Sequence, residues 1–348
     1  MTFDRFKSYL PGHRVLVKIL LGYCLLQFGC TQIAENERRT AVYHWRTVLN
    51  FSPEEQRFLV KISAERVYTK FFDLDWSNGE AAPAAIIRAG EEFRLPDSLE
   101  LVPVVFITNR TFKNLDPATI PNLAKRTAEL IQNRLAHLGT TAPEWQFDCD
   151  WTPSTRDLFF EFLKAIRTHQ PPGTALSSTV RLHQFRYPER TGVPPVDRGV
   201  LMVYNVGRVD DPNETNSILT YEAAAAYLEP AGGYPLPLDV ALPIYRWGVV
   251  YRHGELVRLI DGLAAEELRD TSSFESLGET RFRLKKSQYL RGNYFYHDDV
   301  IRTEAIDSAT FHRTRELALA AVGVGCERVI LYKLEDAPQL SFDLAGGE

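Results

Sequence analysis

Eight strand-like apolar runs, many of them separated by helical patterns, constrain the fold of this chain more than any other feature. Several are near-continuous runs of Val, Ile, Leu and Phe, which are typical of parallel strands buried on both faces. The runs are 44–50, 67–76, 101–109, 145–151, 176–183, 199–205, 239–246 and 328–334, and helical patterns cover 53–66, 118–138, 154–168, 217–228 and 308–322. Eight strands over roughly 300 residues predict a closed (β/α)8 TIM-like barrel rather than an open sheet.

Two regions depart from a minimal barrel. Residues 184–198 contain three prolines and predict a long loop in place of a helix. Residues 247–299 follow the seventh run, and their pattern predicts a hairpin that turns at His253-Gly254. This segment is therefore predicted to be an insertion after strand seven, in the position of a lid or small subdomain.

Composition and motifs exclude several classes of protein. The chain has no Gly-x-Gly-x-x-Gly after its first strand and no P-loop, so nucleotide-binding folds lose their usual support. The formal net charge is −5 and no run of basic residues is present. Nucleic acid is therefore not an expected partner, and no cofactor or metal is predicted.

The first thirty residues predict export. Four basic residues precede a short apolar stretch, 19–29, that is too short to span a bilayer. Gly29-Cys30 then suggests lipoprotein processing, in which Cys30 becomes the lipidated N-terminus; an ordinary cleaved signal or a buried N-terminal helix is the alternative. The predicted organisation is a signal over 1–30, a linker over 31–43 and one barrel domain over 44–340. The mature protein is expected in the cell envelope, periplasm-facing or at the cell surface, and attached to the membrane only through the lipid.

The fourth run carries two aspartates at alternate positions, Asp148 and Asp150. Side chains two residues apart on a strand point to the same side. Two carboxylates facing one side of an apolar segment are costly to bury unless they have partners or a use. Because the active sites of (β/α)8 barrels lie at the carboxyl ends of the strands, these two aspartates and Asp73 are the candidate catalytic residues.

Polar and aromatic residues also gather at the ends of the other strands. Aromatic faces stack on sugar rings, while carboxylates and amides bind hydroxyl groups, so this mixture favours a glycan as the ligand. The candidate substrate-binding residues are Asp75, Asn109, Trp151, Arg181, His183, Tyr204, Asn205, Tyr245 and Trp247.

The fourth run resembles the signature strand of family-18 glycoside hydrolases, the chitinases and their relatives, written Asp-x-x-Asp-x-Asp-x-Glu. Asp148, Asp150 and Trp151 fit this pattern, whereas Thr152 stands where the catalytic Glu is expected. Residues 200–205 and 241–245 are similar to the family's sixth and seventh strands, with Asn205 in place of an Asp. The chain also resembles lipoproteins of Bacteroidetes-type bacteria that have this barrel.

The resemblance implies a reaction that this sequence cannot perform unchanged. Family-18 enzymes use the Glu as general acid, while the substrate's acetamide is the nucleophile, oriented by the neighbouring Asp and the sixth-strand Tyr. A threonine does not protonate a leaving group at neutral pH.

Three hypotheses therefore remain. The barrel binds glycans without cleaving them; or it hydrolyses glycosides with relocated acids, pairing Asp148 or Asp150 with Asp73 or Asp75; or the acids, with His183, bind a metal or another ligand.

Purely structural roles are open as well. Asp148 fits a hydrogen-bond acceptor inside the barrel, and Asp73 fits a buried ion pair with Arg181. A structural or assembly lipoprotein of the envelope is a further class, and its barrel mouth would be filled by its own side chains.

The export hypothesis predicts the behaviour of one variant. Cys30→Ser should abolish lipid labelling and move the protein from the membrane fraction to the soluble fraction, because the thiol is the acceptor of the lipid. Metabolic labelling with a lipid precursor and fractionation measure both effects. A native protein that carries no lipid label, with unchanged partition of the variant, would contradict the hypothesis.

Overall fold

The computed structural model describes residues 38–91, 93–229, 233–340 and 343–344. From residue 39 onward the described residues belong to one compact unit. The predicted signal, Cys30 and most of the predicted linker lie outside the described residues. Within the described part of the chain, no helix is long and apolar enough to cross a membrane.

Eight parallel strands form a closed barrel, which confirms the predicted fold class. Each strand pairs with the next, and the first strand pairs with both the eighth and the second, so the sheet has no free edge. The barrel strands are β1 (Arg39–His44), β2 (Ala64–Ser77), β3 (Glu100–Ile107), β4 (Glu144–Cys149), β5 (Ala175–Arg181), β6 (Arg198–Met202), β7 (Leu238–Pro243) and β8 (Arg328–Tyr332).

β1 begins earlier in the chain than the sequence predicts. It opens with Arg39 and Thr40, polar residues that resemble a linker. The predicted run from 44 instead contains the short strand Val48–Leu49, which pairs with Arg88–Ala89 outside the barrel. Polarity hid the true strand because β1 opens with an exposed Arg39 and a half-buried Thr40, and its buried residues begin only at Ala41.

The helices that cover the barrel are α1 (Pro53–Lys61), α2 (Asn109–Asn114), α3 (Ile120–His137), α4 (Arg156–Arg167), α5 (Leu182–Arg186), α6 (Pro188–Thr191), α7 (Tyr221–Leu228) and α8 (Ser308–Val322). Ser52 and Glu55 form a reciprocal cap at the start of α1, and Pro53 takes the first helical position. The helix ends before its predicted limit because Ser63 has a positive φ and β2 starts at once. Short 3-10 turns cover Pro117–Thr119, Ala265–Leu268, Gly323–Gly325 and Leu334–Gln339.

Charged side chains fill the interior at the amino ends of the strands. Arg66 pairs with Glu144 at 2.9 Å, and Arg198 pairs with Asp239 at 2.9 Å. Burial raises the pKa of Glu144, and the neighbouring arginine opposes this shift. Above this layer the Tyr43 hydroxyl donates to Gln146 at 2.6 Å. These contacts occupy the interior below the mouth, so ligand access is left to the carboxyl ends.

The insertion after β7 is confirmed, and it is a small antiparallel sheet with its own apolar core. His253 and Gly254 both have positive φ values at the predicted hairpin turn, as a two-residue type I′ turn requires. The core includes Val250, Phe282 and Ile301. The sheet order is Glu255–Asp261, Trp247–Arg252, Val300–Glu304, Arg281–Leu284 and Phe274–Ser276, with a separate hairpin of Gln288–Leu290 and Asn293–Phe295. A further strand, Glu80–Ala84, pairs antiparallel with the end of β2.

Candidate functional site

Asp148 lies at the centre of the barrel mouth and is almost completely buried, with 6% of its surface exposed. Its neighbour on β5, Thr179, donates its hydroxyl proton to the carboxylate at 2.7 Å. Burial is the main cause that raises the pKa of Asp148 from 3.8 to about 6, and the negative charges of Asp150 and Asp73 add to the shift. Asp148 therefore takes up a proton as the pH falls through about 6, well above the range of an ordinary aspartate.

Asp150 lies one step closer to solvent and faces the same side, as the alternation along the strand predicts. Arg181 at the end of β5 binds both of its carboxylate oxygens in a bidentate ion pair. The side chain of Asp150 remains 44% exposed. Its charge is thus neutralised by a fixed guanidinium at the rim of the mouth.

Asp73 does not pair with Arg181, which corrects that structural hypothesis. Lys70, three residues earlier on β2, lies 3.2 Å from its carboxylate. The bulge between Lys70 and Phe72 shifts the register and brings both side chains to the interior. Arg181 instead lies beside the β4 aspartates because β5 is the next strand.

Asp75 and Asn109 have structural partners at the rim. Arg110 and Thr108 both donate to Asp75, Thr108 at 2.6 Å. The hydrogen bond from Arg110 is the main cause that lowers the pKa of Asp75 to about 2. Asn109 accepts a hydrogen bond from the Thr155 hydroxyl at 2.6 Å. Asp75 is therefore a permanent anion bound to its own chain.

Thr152 belongs to a cluster of hydroxyl groups at the start of α4. Its hydroxyl lies 3.0 Å from that of Ser154 and 3.2 Å from that of Thr155. Its backbone N–H donates to the Thr155 hydroxyl at 2.9 Å. The side chain where a general acid is expected is thus non-ionisable and is already hydrogen-bonded.

Aromatic rings form one wall of the mouth. Tyr204 stacks on Tyr332 with ring centroids 4.8 Å apart, and Tyr245 meets Tyr332 edge-on at 5.6 Å. Trp247 meets Tyr245 at 5.3 Å and donates its indole N–H to Glu304 at 2.8 Å. These rings come from β6, β7, β8 and the insertion, and we call them the aromatic wall.

Asn205 is tied to this wall from the rim. Its side-chain oxygen accepts a hydrogen bond from the Tyr245 hydroxyl at 2.5 Å. It has a φ of +55°, a backbone conformation that asparagine tolerates better than most residues. His183 lies exposed on α5, where partial burial and Arg181 lower its pKa.

Trp151 is not part of the mouth, which corrects its prediction as a substrate-binding residue. It stacks on Phe159 at 5.5 Å, meets Phe160 at 5.7 Å and donates its indole N–H to the Thr191 carbonyl at 2.9 Å. With Asp148 and Asp150 facing inward, residues 149 and 151 must face the helices. The alternation of side chains along the strand that places both aspartates inside the barrel also places this tryptophan on its outer face.

Sequence reasoning missed three contributors to the mouth, Trp45, Lys70 and Tyr332. Trp45 meets Tyr332 at 5.7 Å, and the Lys70 ammonium lies 5.7 Å from the Trp45 ring. The Trp45 backbone N–H donates to Glu335 at 2.6 Å. Tyr332 ends the last strand, where the sequence predicts site residues, but it is not among the candidates, whereas Trp45 was hidden because the first strand was placed too late.

No metal-binding arrangement of three or more His, Cys, Asp or Glu side chains occurs in the described part of the chain. The acids of the mouth instead take arginine, lysine and hydroxyl groups as partners. This geometry gives the metal-binding hypothesis no support.

No family model and no curated protein matches the chain. Solved structures do. The Ostrinia furnacalis group II chitinase catalytic domain 2, crystallised as a mutant with bound penta-N-acetylchitooctaose, is 11% identical with a TM-score of 0.50, covering 89% of this chain and 97% of that one. The C-terminal domain of a putative chitinase from Desulfitobacterium hafniense is 13% identical with a TM-score of 0.50, covering 87% and 97%.

The chain shares its fold with chitinase catalytic domains. A family-18 chitinase mutant from Cycas revoluta, crystallised with (GlcNAc)4, has a TM-score of 0.49 at 14% identity, with coverage of 87% and 98%. At 11% and 13% identity, the two structures with a TM-score of 0.50 show the shared barrel fold alone.

The raised pKa of Asp148 predicts a pH-dependent stability. The native state holds the proton more tightly than the unfolded chain, so this contribution is complete below about pH 4 and is lost as the pH rises through about 6. Asp148→Asn keeps an acceptor for Thr179 and removes the buried charge. This substitution should leave the free energy of unfolding unchanged at low pH and raise it by up to about 3 kcal/mol above pH 7.

Chemical denaturation of the two proteins across this pH range measures the difference. Asp97→Asn, at an exposed position, is the matched control and should follow the native profile. A constant difference between native protein and Asp148→Asn at all pH values would show that Asp148 does not titrate in this range.

Proposed function

We propose that the barrel binds a glycan in its mouth and does not hydrolyse it by the chitinase route. The observation that carries this proposal is the combination of an aromatic wall with a threonine at the position of the general acid. Trp247 and Tyr332 are partly exposed and offer ring surface, Tyr204 and Tyr245 are buried behind them, and Thr152 offers no acidic proton. A sugar can be held by such a site, but its leaving group cannot be protonated there.

The polar groups of the mouth support binding through hydroxyl contacts. The Asp150–Arg181 pair is partly exposed, so it can donate to and accept from sugar hydroxyls while its net charge remains zero. The Lys70–Asp73 pair has the same property on β2. Balanced pairs beside aromatic rings favour a neutral carbohydrate over a strongly charged ligand.

The structural neighbours agree with a saccharide ligand. The Ostrinia furnacalis chitinase domain was crystallised with an N-acetylated chito-oligosaccharide. We extend this ligand class to the present chain as part of the proposal. N-acetylglucosamine oligomers are therefore the first ligands to test, with neutral glucans as the comparison.

A second candidate function is hydrolysis with relocated acids. The pKa of about 6 for Asp148 favours it, because a general acid must keep its proton near the working pH. Against it, Asp148 is buried and bound to Thr179, while Asp150 and Asp75 are held by arginines. Binding alone therefore has the stronger support.

We also propose that the barrel works in the cell envelope, attached through lipidated Cys30. The basic flank, the short apolar stretch and Gly29-Cys30 support this location. A non-catalytic envelope lipoprotein with a purely structural role is the alternative. It differs in one measurable respect, since it should bind no saccharide.

The binding proposal predicts the effect of one ring in the aromatic wall. The full-length protein should bind at least one saccharide on a glycan array, and Trp247→Ala should weaken that binding about tenfold or more, because it removes a partly exposed ring on which a sugar can stack. Titration calorimetry with the best saccharide measures the change. Trp247→Phe should lie between the native protein and Trp247→Ala, since it keeps a ring.

Tyr187→Ala is the matched control, because Tyr187 is an exposed ring on the outer helices and contacts Arg186 and Arg190. It should bind like the native protein. Equal loss in both alanine variants, or no saccharide bound by the folded native protein, would count against a glycan site at the mouth.

The threonine at position 152 leads to a separate prediction about activity. The native protein should not release products from N-acetylglucosamine oligomers, and Thr152→Glu should restore at most a small rate. General acid catalysis contributes about 10²–10⁴-fold, and it needs neighbours tuned to the proton transfer, which Asn205 and the Arg181-bound Asp150 do not supply.

Product analysis by mass spectrometry, with Asp150→Asn as the comparison, decides between the routes. Robust cleavage of the N-acetylated substrate by the native protein would contradict the binding-only proposal. Cleavage of another glycan that is lost in a folded Asp150→Asn variant would favour the relocated acids.

A further inference from the structure

A second cavity lies between the insertion and the loop that follows β6. Its volume is about 310 Å³, within the range of small-molecule sites. Pro212 comes from the loop, whereas Tyr251, Leu277, Arg281, Val300 and Arg302 come from the insertion. No residue of the barrel mouth described above lines this cavity, so it is a separate place on the protein.

Arg302 lies at the wall of this cavity with only 1% of its surface exposed. Its Nε donates to Glu304 at 2.6 Å, and its Nη1 donates to the Asp211 carbonyl at 2.7 Å. Its guanidinium lies 5.2 Å from the Tyr251 ring. Its Nη2 is buried and has no hydrogen-bond acceptor in the described part of the chain. An unsatisfied donor on a buried cation is costly, and the buried position of this atom leaves Arg302 behind the cavity wall rather than in contact with a ligand.

Arg281 supplies a second guanidinium at the same wall. Its Nη2 donates to the Glu214 carbonyl at 2.9 Å, and the described residues place no carboxylate within ion-pair distance of it. The Asp211 carboxylate accepts from the Asn213 backbone, and Glu304 is engaged by Arg302. Arg281 therefore carries a positive charge beside the cavity that no ion pair neutralises.

Apart from the polar side chains of Asn213 and His253, the rest of the wall is apolar. Pro212, Leu277 and Val300 contribute aliphatic surface, and the Tyr251 hydroxyl is already bound to the Val209 carbonyl at 2.6 Å. A guanidinium fork matches the two oxygens of a carboxylate. A strongly hydrated phosphate or sulfate would gain nothing from the aliphatic walls. A carboxylate on a short aliphatic chain can bind the guanidinium and also pack against these walls.

We propose that this cavity binds a small molecule that carries one carboxylate on a short aliphatic body. The Arg281 guanidinium holds the carboxylate, with Arg302 behind it. The aliphatic part contacts Leu277, Val300 and Pro212. This site is independent of the glycan site at the barrel mouth, and either can exist without the other.

N-acetyl-leucine is the probe, titrated into the full-length protein and followed by ligand-observed NMR. It should bind at millimolar concentration. N-acetyl-leucinamide has the same body without the charge and should bind at least about tenfold more weakly, since a hydrogen-bonded charge is lost. Inorganic phosphate should not compete. Equal binding of the amide, displacement by phosphate, or no binding of the acid to folded protein would overturn the proposal.

Two variants and a matched control locate the site. Arg281→Gln should weaken N-acetyl-leucine binding about tenfold, and Leu277→Glu should weaken it further because it places a like charge at the cavity. Arg283→Gln lies on the same strand, outside the cavity lining, where Arg283 pairs with Glu275 at 3.1 Å, and it should bind as the native protein does. Thermal unfolding verifies that each variant is folded. Undiminished binding in folded Arg281→Gln, or equal loss in Arg283→Gln, would refute the location.

Discussion

Closure of the sheet through β1 is the constraint on which the rest of this structure depends. β1 pairs with β8 on one side and β2 on the other, so every barrel strand has two neighbours and one inward face. Once the sheet is closed, strict alternation decides which side chains meet inside. The inward set of β4 then runs from Glu144 through Gln146 and Asp148 to the rim at Asp150. Charged pairs fill the barrel at the amino ends of the strands, and the candidate site lies at their carboxyl ends.

Each acid of the mouth has a partner on its own or a neighbouring element. Asp150 forms an ion pair with Arg181, Asp73 with Lys70, and Asp75 with Arg110. Pairing stabilises the charged form of a carboxylate and so works against a role as proton donor. Asp148 is the exception, since burial outweighs its contacts and raises its pKa to about 6, but it is almost completely buried beneath the rim. The balance of charges therefore favours recognition over catalysis.

The insertion connects the barrel mouth to the cavity that Arg281 and Arg302 line. Glu304 accepts the indole N–H of Trp247 in the aromatic wall and also the Nε of Arg302 at the second cavity. Ser217 donates to the same carboxylate from the segment that precedes α7. One buried carboxylate thus joins the barrel mouth, the loop after β6 and the insertion sheet. Its partners satisfy it fully, as a buried charge requires.

Local sequence patterns predicted the barrel architecture and part of the candidate site. Buried parallel strands are read from continuous apolar runs, and the hairpin turn from His253-Gly254, because both signals are local. The same alternation that put Asp148 and Asp150 on one side also implied an outward Trp151. Polarity misled at β1, which opens with an exposed arginine, so the strand was placed too late and Trp45 was missed.

The sequence by itself determined that the chain forms a (β/α)8 barrel with an insertion after its seventh strand, and that Asp148 and Asp150 face the same side of β4. Only the tertiary structure decided that Arg181 binds Asp150 rather than Asp73, that burial raises the pKa of Asp148, and that Arg281 and Arg302 share one cavity wall. The physical reason is distance along the chain. Periodicity and turn chemistry act between neighbouring residues, whereas ion pairing and burial depend on which distant strands the closed sheet brings together.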